Sequence, residues 1–237
     1  MKNLMIPALA LFLSAAAQAD DSPLWLCYCA ISPDGQTIAF SYQGDIYTVP
    51  SSGGKARQLT THPAHDTRPV WSPDGQKIAF ASNRSGNFDV FLMNKEGGEP
   101  KRLTTHSTNE YPTTFKDNGH ILYLANILQD AKDIQFPGTR FMQVYEISTD
   151  GGRPDLYSSL YMENIALSKD GSKLLYNDYK GYEDPWRKHH QSSITRDIWL
   201  CTLGKDRSFQ KVTTFGGEDR NPVWAADGAS FYSLSKE

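Results

Sequence analysis

The sequence predicts an all-β fold made of repeated four-stranded antiparallel units, and three observations predict it. First, SPDGQTIAF at residues 32–40 returns as SPDGQKIAF at residues 72–80. Second, turn glycines recur at Gly35, Gly75, Gly119, Gly171 and Gly228, spaced 40, 44, 52 and 57 residues apart. Each is followed three residues later by Ile38, Ile78, Leu122, Leu174 or Phe231. Third, 12 Tyr, 11 Phe and 5 Trp stand among short Gly, Pro, Asp and Asn clusters, the composition of short strands separated by turns.

Residues 1–19, MKNLMIPALALFLSAAAQA, stand apart from the repeats. Lys2 precedes an apolar run from Leu4 to Ala17, and Ala17 and Ala19 flank Gln18 in the small-x-small pattern of a secretory cleavage site. The run is short for a membrane span. The expectation is therefore a signal peptide cleaved after Ala19 and an exported, periplasmic chain that starts at Asp20 and has no membrane span. The formal net charge is −3, with acids and bases interspersed, so no basic stripe is offered to a phosphate backbone and nucleic acid is not an expected partner. Cys27 and Cys29 lie two apart, and a bridge across an extended strand would be strained. Both are expected as buried apolar residues rather than metal ligands.

From Leu24 onward each copy reads as four strands. The first strand is Leu24 to Ile31 in the first copy and Pro69 to Ser72 in the second, where proline can open a strand because the first residue need not donate a ladder bond. After SPDG comes Lys77 to Ser82, then Asp89 to Asn94, which is matched by Asp45-Ile46-Tyr47, Gln143-Val144-Tyr145 and Asp197-Ile198-Trp199. Gly97-Gly98 turns the chain, as do Gly53-Gly54 and Gly151-Gly152, and Lys101 to Thr105 is the fourth strand. It carries Leu103-Thr104, paralleled by Leu59-Thr60 and Val212-Thr213. Asp-Gly and Gly-Gly supply the positive-φ positions of two-residue hairpins. Asp45, Asp89 and Asp197 at strand starts read as structural hydrogen-bonding groups.

Four short antiparallel strands in a unit of 40 or more residues is the signature of a β-propeller blade. One blade cannot bury both its faces, so blades stack around an axis. Trp71, Phe115 and Trp224, just before their turns, read as packing between blades. The expected blades are 24–66, 67–110, 111–160 and 161–219, with the start of a fifth at 220–237. The chain is thus expected to hold four blades and the first half of a fifth, an incomplete propeller.

The stretch PVWSPDGQKIAFASNRSGNFDVFLMNKEGGEPKRLTTH resembles the repeat of the TolB-type propellers, and the likeness runs through all four copies. The first and fourth copies, the latter with the insertion KGYEDPWRKHHQSSITRDIW, are most similar to the N-terminal propeller of exported tricorn-type serine peptidases. That resemblance implies a substrate-access or docking module whose Ser and His chemistry lies in a separate C-terminal catalytic domain. The chain itself has no GxSxG and no Ser in a recognisable setting of base and oxyanion donors, so no catalytic residue is expected.

Spacing locates the candidate binding surface. From turn glycine to third strand the intervals are 10, 14, 24 and 26 residues, whereas from third strand to the next turn glycine they are 30, 30, 28 and 31. Growth is confined to connections at 126–142 and 178–196, which fall on the same face as the loops entering each innermost strand. The candidate binding residues there are Asp66, Arg68, Glu110, Tyr182, Trp186, Arg187, Asp219 and Arg220. His189-His190 would point apart on an extended strand with no third ligand spaced to join them, so neither metal nor cofactor is expected. The reading is a non-catalytic propeller that binds or admits a peptide or protein substrate, or docks a catalytic domain, as the N-terminal part of a tricorn-like peptidase. Its alternatives are an envelope protein-interaction scaffold of Tol-system type and the propeller of a prolyl-oligopeptidase-like hydrolase.

Overall fold

The computed structural model describes residues 26–127, 142–180, 195–225 and 227–236. The expected leader lies outside them. The first sheet is β1 (Cys27–Ile31), β2 (Thr37–Tyr42), β3 (Asp45–Pro50) and β4 (Arg57–Gln58). The second is β5 (Asp66–Trp71), β6 (Lys77–Ser82), β7 (Asp89–Asn94) and β8 (Gly97–Arg102). The third is β9 (Glu110–Asp117), β10 (His120–Ala125), β11 (Gln143–Ser148) and β12 (Asp155–Ser158). The fourth is β13 (Glu163–Leu167), β14 (Lys173–Asn177), β15 (Ile198–Thr202) and β16 (Ser208–Lys211). The strands β17 (Glu218–Trp224) and β18 (Phe231–Lys236) pair as a two-stranded sheet. Every sheet is an antiparallel meander in chain order, so the all-β propeller of four blades and a half-blade is the observed architecture.

Alternation along the strands explains why both faces of a blade are apolar. On β6, Ile78 and Phe80 pack with Ile46 and Ala39 of the first blade, while Ala79 joins Phe115, Ile121 and Tyr123 of the third. On β10 the partition repeats: Ile121 and Tyr123 face the second blade, and Leu122 and Leu124 face Ile165 and Leu174 of the fourth. Each buried Ile, Leu or Phe contributes about 1.5–3 kcal/mol by leaving water. Trp71 adds a directional contact between blades, its indole N–H donating to Ala30 O at 3.1 Å, and Trp224 repeats it with Ala166 O at 3.0 Å. Phe115, with no N–H to give, is buried in the same place. Apolar side chains stay exposed on the first and last sheets: Leu26 and Ile31 at the two ends of β1, and Val223, Tyr232 and Leu234 on β17 and β18.

The repeated words have defined jobs. In SPDG the Ser72 hydroxyl donates to Asp74 Oδ1 at 2.6 Å, the same Oδ1 accepts Gln76 N–H, and Ser72 Oγ accepts Lys77 N–H. The ring recurs at Ser32–Asp34 and Ser168–Asp170. Serine hydrogen bonding holds the carboxyls of Asp34 and Asp74 below the usual range and takes Asp170 down to about 2. These turns enclose four residues between the bonded Ser72 and Lys77, so the two-residue hairpin expected from Asp-Gly is corrected: the serine ring needs the longer loop. Asn118-Gly119 of the third blade does make a two-residue turn between paired Asp117 and His120, and there the glycine does not take a positive φ.

The Leu-Thr mark also resolves. Thr60, Thr104 and Thr213 each accept, on the hydroxyl, the N–H that opens the third strand, from Ile46, Val90 and Ile198. Asp45 in turn accepts from Thr60 and Gln58, in keeping with a structural role. The inner strand of the second blade begins at Asp66 rather than Pro69, and its outer strand is Gly97–Arg102 rather than Lys101 to Thr105. Thr104 lies beyond the ladder because it caps the neighbouring strand.

Candidate functional site

The innermost strands β1, β5, β9, β13 and β17 surround an axial cavity of about 780 Å³. All five are bulged at the same level, as the register shifts opposite β2, β6, β10, β14 and β18 show. In four of them a non-glycine residue at the bulge is left-handed: Tyr28 (φ 53), Arg68 (φ 55), Asn164 (φ 50) and Asn221 (φ 53). Such residues cost about 1–3 kcal/mol each and persist only where the surroundings impose them. The fifth strand has Pro112 at that position, whose ring forbids a positive φ. A bulge adds one residue against its partner strand and re-aims the side chains, and all these residues line the cavity.

The wall they make is cationic and aromatic. The Arg68 guanidinium stands 4.9 Å from the Tyr28 ring centroid and 4.4 Å from that of Tyr111, so the blades on either side each place an aromatic ring against the arginine of the middle one. Arg196 reaches Glu163 at 2.8 Å and Glu218 at 2.7 Å, and Arg220 meets Glu218 at 2.5 Å. Burial would raise the Glu218 carboxyl, but hydrogen bonds and charge from Arg220 and Arg196 outweigh it and hold the group below its ordinary value. Tyr161 donates its hydroxyl to Glu163 at 2.8 Å, and burial followed by that carboxylate pushes the phenol up. Arg220 Nε is buried and finds no hydrogen-bond acceptor among the described residues. Three arginines thus face two glutamates around the cavity.

Of the residues expected to bind, Arg68 and Arg220 line the cavity. Asp66, Glu110 and Asp219 are corrected in position: all three are buried where an open rim was expected. Asp66 pairs with Arg84 at 2.8 Å, and Asp219 accepts from the Ser235 hydroxyl. Burial, then the nearby Asp89 charge, lifts the Glu110 carboxyl to about 7. Asp89 is raised too, by burial working against its 2.8 Å pair with Arg102. Asp66 is held inside by an arginine donor and Asp219 by a serine hydroxyl. Tyr182, Trp186, Arg187 and His189-His190 lie outside the described residues. Cys27 and Cys29 are exposed, against the expectation that they are core residues, while Cys201 is buried.

Sequence reasoning missed Tyr28, Tyr111, Glu163, Asn164, Arg196 and Asn221. The available signal was Asp66-Thr67-Arg68-Pro69, echoed by Asp219-Arg220-Asn221-Pro222: a buried acid three residues before a proline, with the channel residue between.

Comparison with known proteins follows the fold. The family described as the tricorn protease N-terminal beta propeller domain matches residues 24–236. Tricorn protease homolog 1 of Streptomyces coelicolor is 33% identical over 60 residues, 25% of this chain and 6% of that protein. Among solved structures, the tricorn protease superposes with a TM-score of 0.63 at 21% identity, over 89% of this chain and 21% of that one. A TolB-like protein of Agrobacterium tumefaciens gives 0.62 at 24% identity, over 87% and 72%. The chain spans less than a fifth of the length of the relatives it first matches.

Proposed function

Because the chain belongs to the family of tricorn protease N-terminal β-propeller domains, we propose that it is a non-catalytic module that binds or admits peptides for a serine peptidase centre carried elsewhere. In this reading it is exported to the periplasm behind the leader at residues 1–19. The observation that carries the proposal is the axial cavity, whose volume of about 780 Å³ accommodates a few residues of extended chain. Its lining suits a peptide in chemistry as well. Tyr28, Tyr111 and Tyr161 offer flat surface, Asn164 and Asn221 pair with backbone amides, and the arginines take carbonyls or carboxylates. The test is fluorescence anisotropy of a labelled, unstructured decapeptide titrated with the full chain. Competable binding is expected, and Arg68→Asn weakens it about tenfold. That variant keeps the left-handed backbone, because asparagine already occupies the same position at Asn164 and Asn221. No competable binding at millimolar chain overturns the reading.

A further inference from the structure

The cysteine pair of the first inner strand has a geometry that an extended strand would deny it. Cys27 and Cys29 are both exposed free thiols, and Tyr28 between them is left-handed, with φ 53. The bulge falls there too: Cys27 pairs with Ser41 and Ala30 with Ala39, so one residue is extra on β1. In a regular strand two residues span roughly 6.6 Å, at the upper limit of the Cα separation a disulfide tolerates. A left-handed residue in the middle folds that span back and brings its neighbours closer, which removes the main obstacle to a bridge two residues apart. Cys29 also lines the axial cavity, and the Tyr28 ring stands against Arg68.

We propose that Cys27 and Cys29 form a reversible disulfide that fixes the bulge of the first blade and with it the Tyr28 side of the cavity wall. The oxidant is an external disulfide, of low molecular weight or on a protein. One cysteine thiolate attacks a sulfur of that disulfide, forming a mixed disulfide and releasing one thiolate. The second cysteine thiolate then attacks the sulfur of the first, forming the Cys27–Cys29 bond and expelling the second thiolate. One S–S bond is broken and one made, the two protein thiols are oxidised by two electrons, and their two protons leave with the released thiolates. Cys201, buried and raised by that burial, takes no part. A ring this small gains little from loop closure and keeps some strain, so the bond is of the labile kind that a modest excess of thiol reopens.

The test equilibrates the full chain in buffers of reduced and oxidised glutathione, quenches with acid, alkylates, and weighs the intact chain and the peptide holding both cysteines. The expected product is an internally bridged peptide with Cys201 alkylated, returned to two free thiols by about a tenfold excess of reduced glutathione. Cys27→Ser is expected to stop at a stable mixed disulfide on Cys29. Tyr28→Gly, which keeps a left-handed backbone, should preserve bridging, and Tyr28→Val, which resists it, should shift the midpoint toward reduction. Separate glutathione adducts on both cysteines, a disulfide-linked dimer, or equal midpoints for Tyr28→Gly and Tyr28→Val would each overturn the proposal.

Discussion

The two ends of the inner hairpin behave differently in every blade. At the SPDG end, three blades close the turn with the same serine, the same aspartate and the same backbone N–H groups. At the opposite end, where β5, β9, β13 and β17 begin, the buried position at the blade edge is Asp66, Glu110, Met162 or Asp219, each with different neighbours. The turn pairs its serine hydroxyl and its aspartate carboxylate with N–H groups of its own six residues, so that ring can be copied unchanged. At the strand entry one backbone bond to the preceding blade recurs, from the N–H of Asp66, Glu110 and Asp219 to Gly44 O, Phe88 O and Arg196 O. The side-chain partner is what varies: Asp66 meets Arg84 and Asp219 meets Ser235 within their own blades, while Glu110 lies beside Asp89 of the blade before. Repetition marks bonds that several blades share, within a turn or from one blade to the next, and departure from it marks side chains whose partners differ from blade to blade.

The largest test of that difference is Glu110→Gln. The folded-state value of about 7 lies above the unfolded carboxyl value of 4.5, so the folded state favours the protonated acid. Wild-type stability from this group is therefore full below about pH 4.5 and is lost as pH rises through about 7. A permanently neutral side chain removes that loss, and Glu110→Gln should stabilise the chain by about 2 kcal/mol at pH 8 and by little at pH 4.5. Chemical denaturation at the two pH values measures it. Equal shifts at both would show that Glu110 is not the titrating member of the pair with Asp89.

How much of this was legible follows the same division. Blade count and strand order could be read from period and spacing, because each blade needs turn residues at matching places between its strands. The entry loops were read as an exposed polar rim because Asp66, Glu110 and Asp219 are charged, and sequence alone does not show that Arg84, Asp89 or Ser235 waits across the blade. The left-handed bulges were invisible for a related reason. Tyr28 and Arg68 are not residues that choose that conformation, and the bulge against the neighbouring strand imposes it.

A smaller effect is expected at the other end. Ser72→Ala removes the hydroxyl that both donates to Asp74 and accepts from Lys77 N–H, and should cost about 1 kcal/mol because the exposed half of the turn is rescued by water. The Asp74 carboxyl, held low first by that serine, should rise toward its ordinary value in a proton-detected titration. A loss well above that figure would mean that the turn nucleates the blade rather than merely closing it.

The smallest effect separates two glycines that the repeat makes look equivalent. Gly75 sits at φ +66, where an added Cβ meets only Pro33 Cδ at 3.6 Å, an ordinary contact. Gly75→Ala therefore has room, yet pays for the left-handed backbone, about 1 kcal/mol. Gly119 has no positive φ, and its Cβ would meet Asp117 Oδ1 at 3.3 Å, the end of an exposed side chain that can give way. Alanine there also loses less chain entropy on folding, a gain of about 0.4–1 kcal/mol that offsets the crowding. Gly119→Ala should thus be neutral within about 0.5 kcal/mol while Gly75→Ala destabilises, read as denaturation midpoints of the two single variants. Equal losses would mean that the third blade's turn shares the left-handed glycine of the others and that its shorter loop has no conformational consequence.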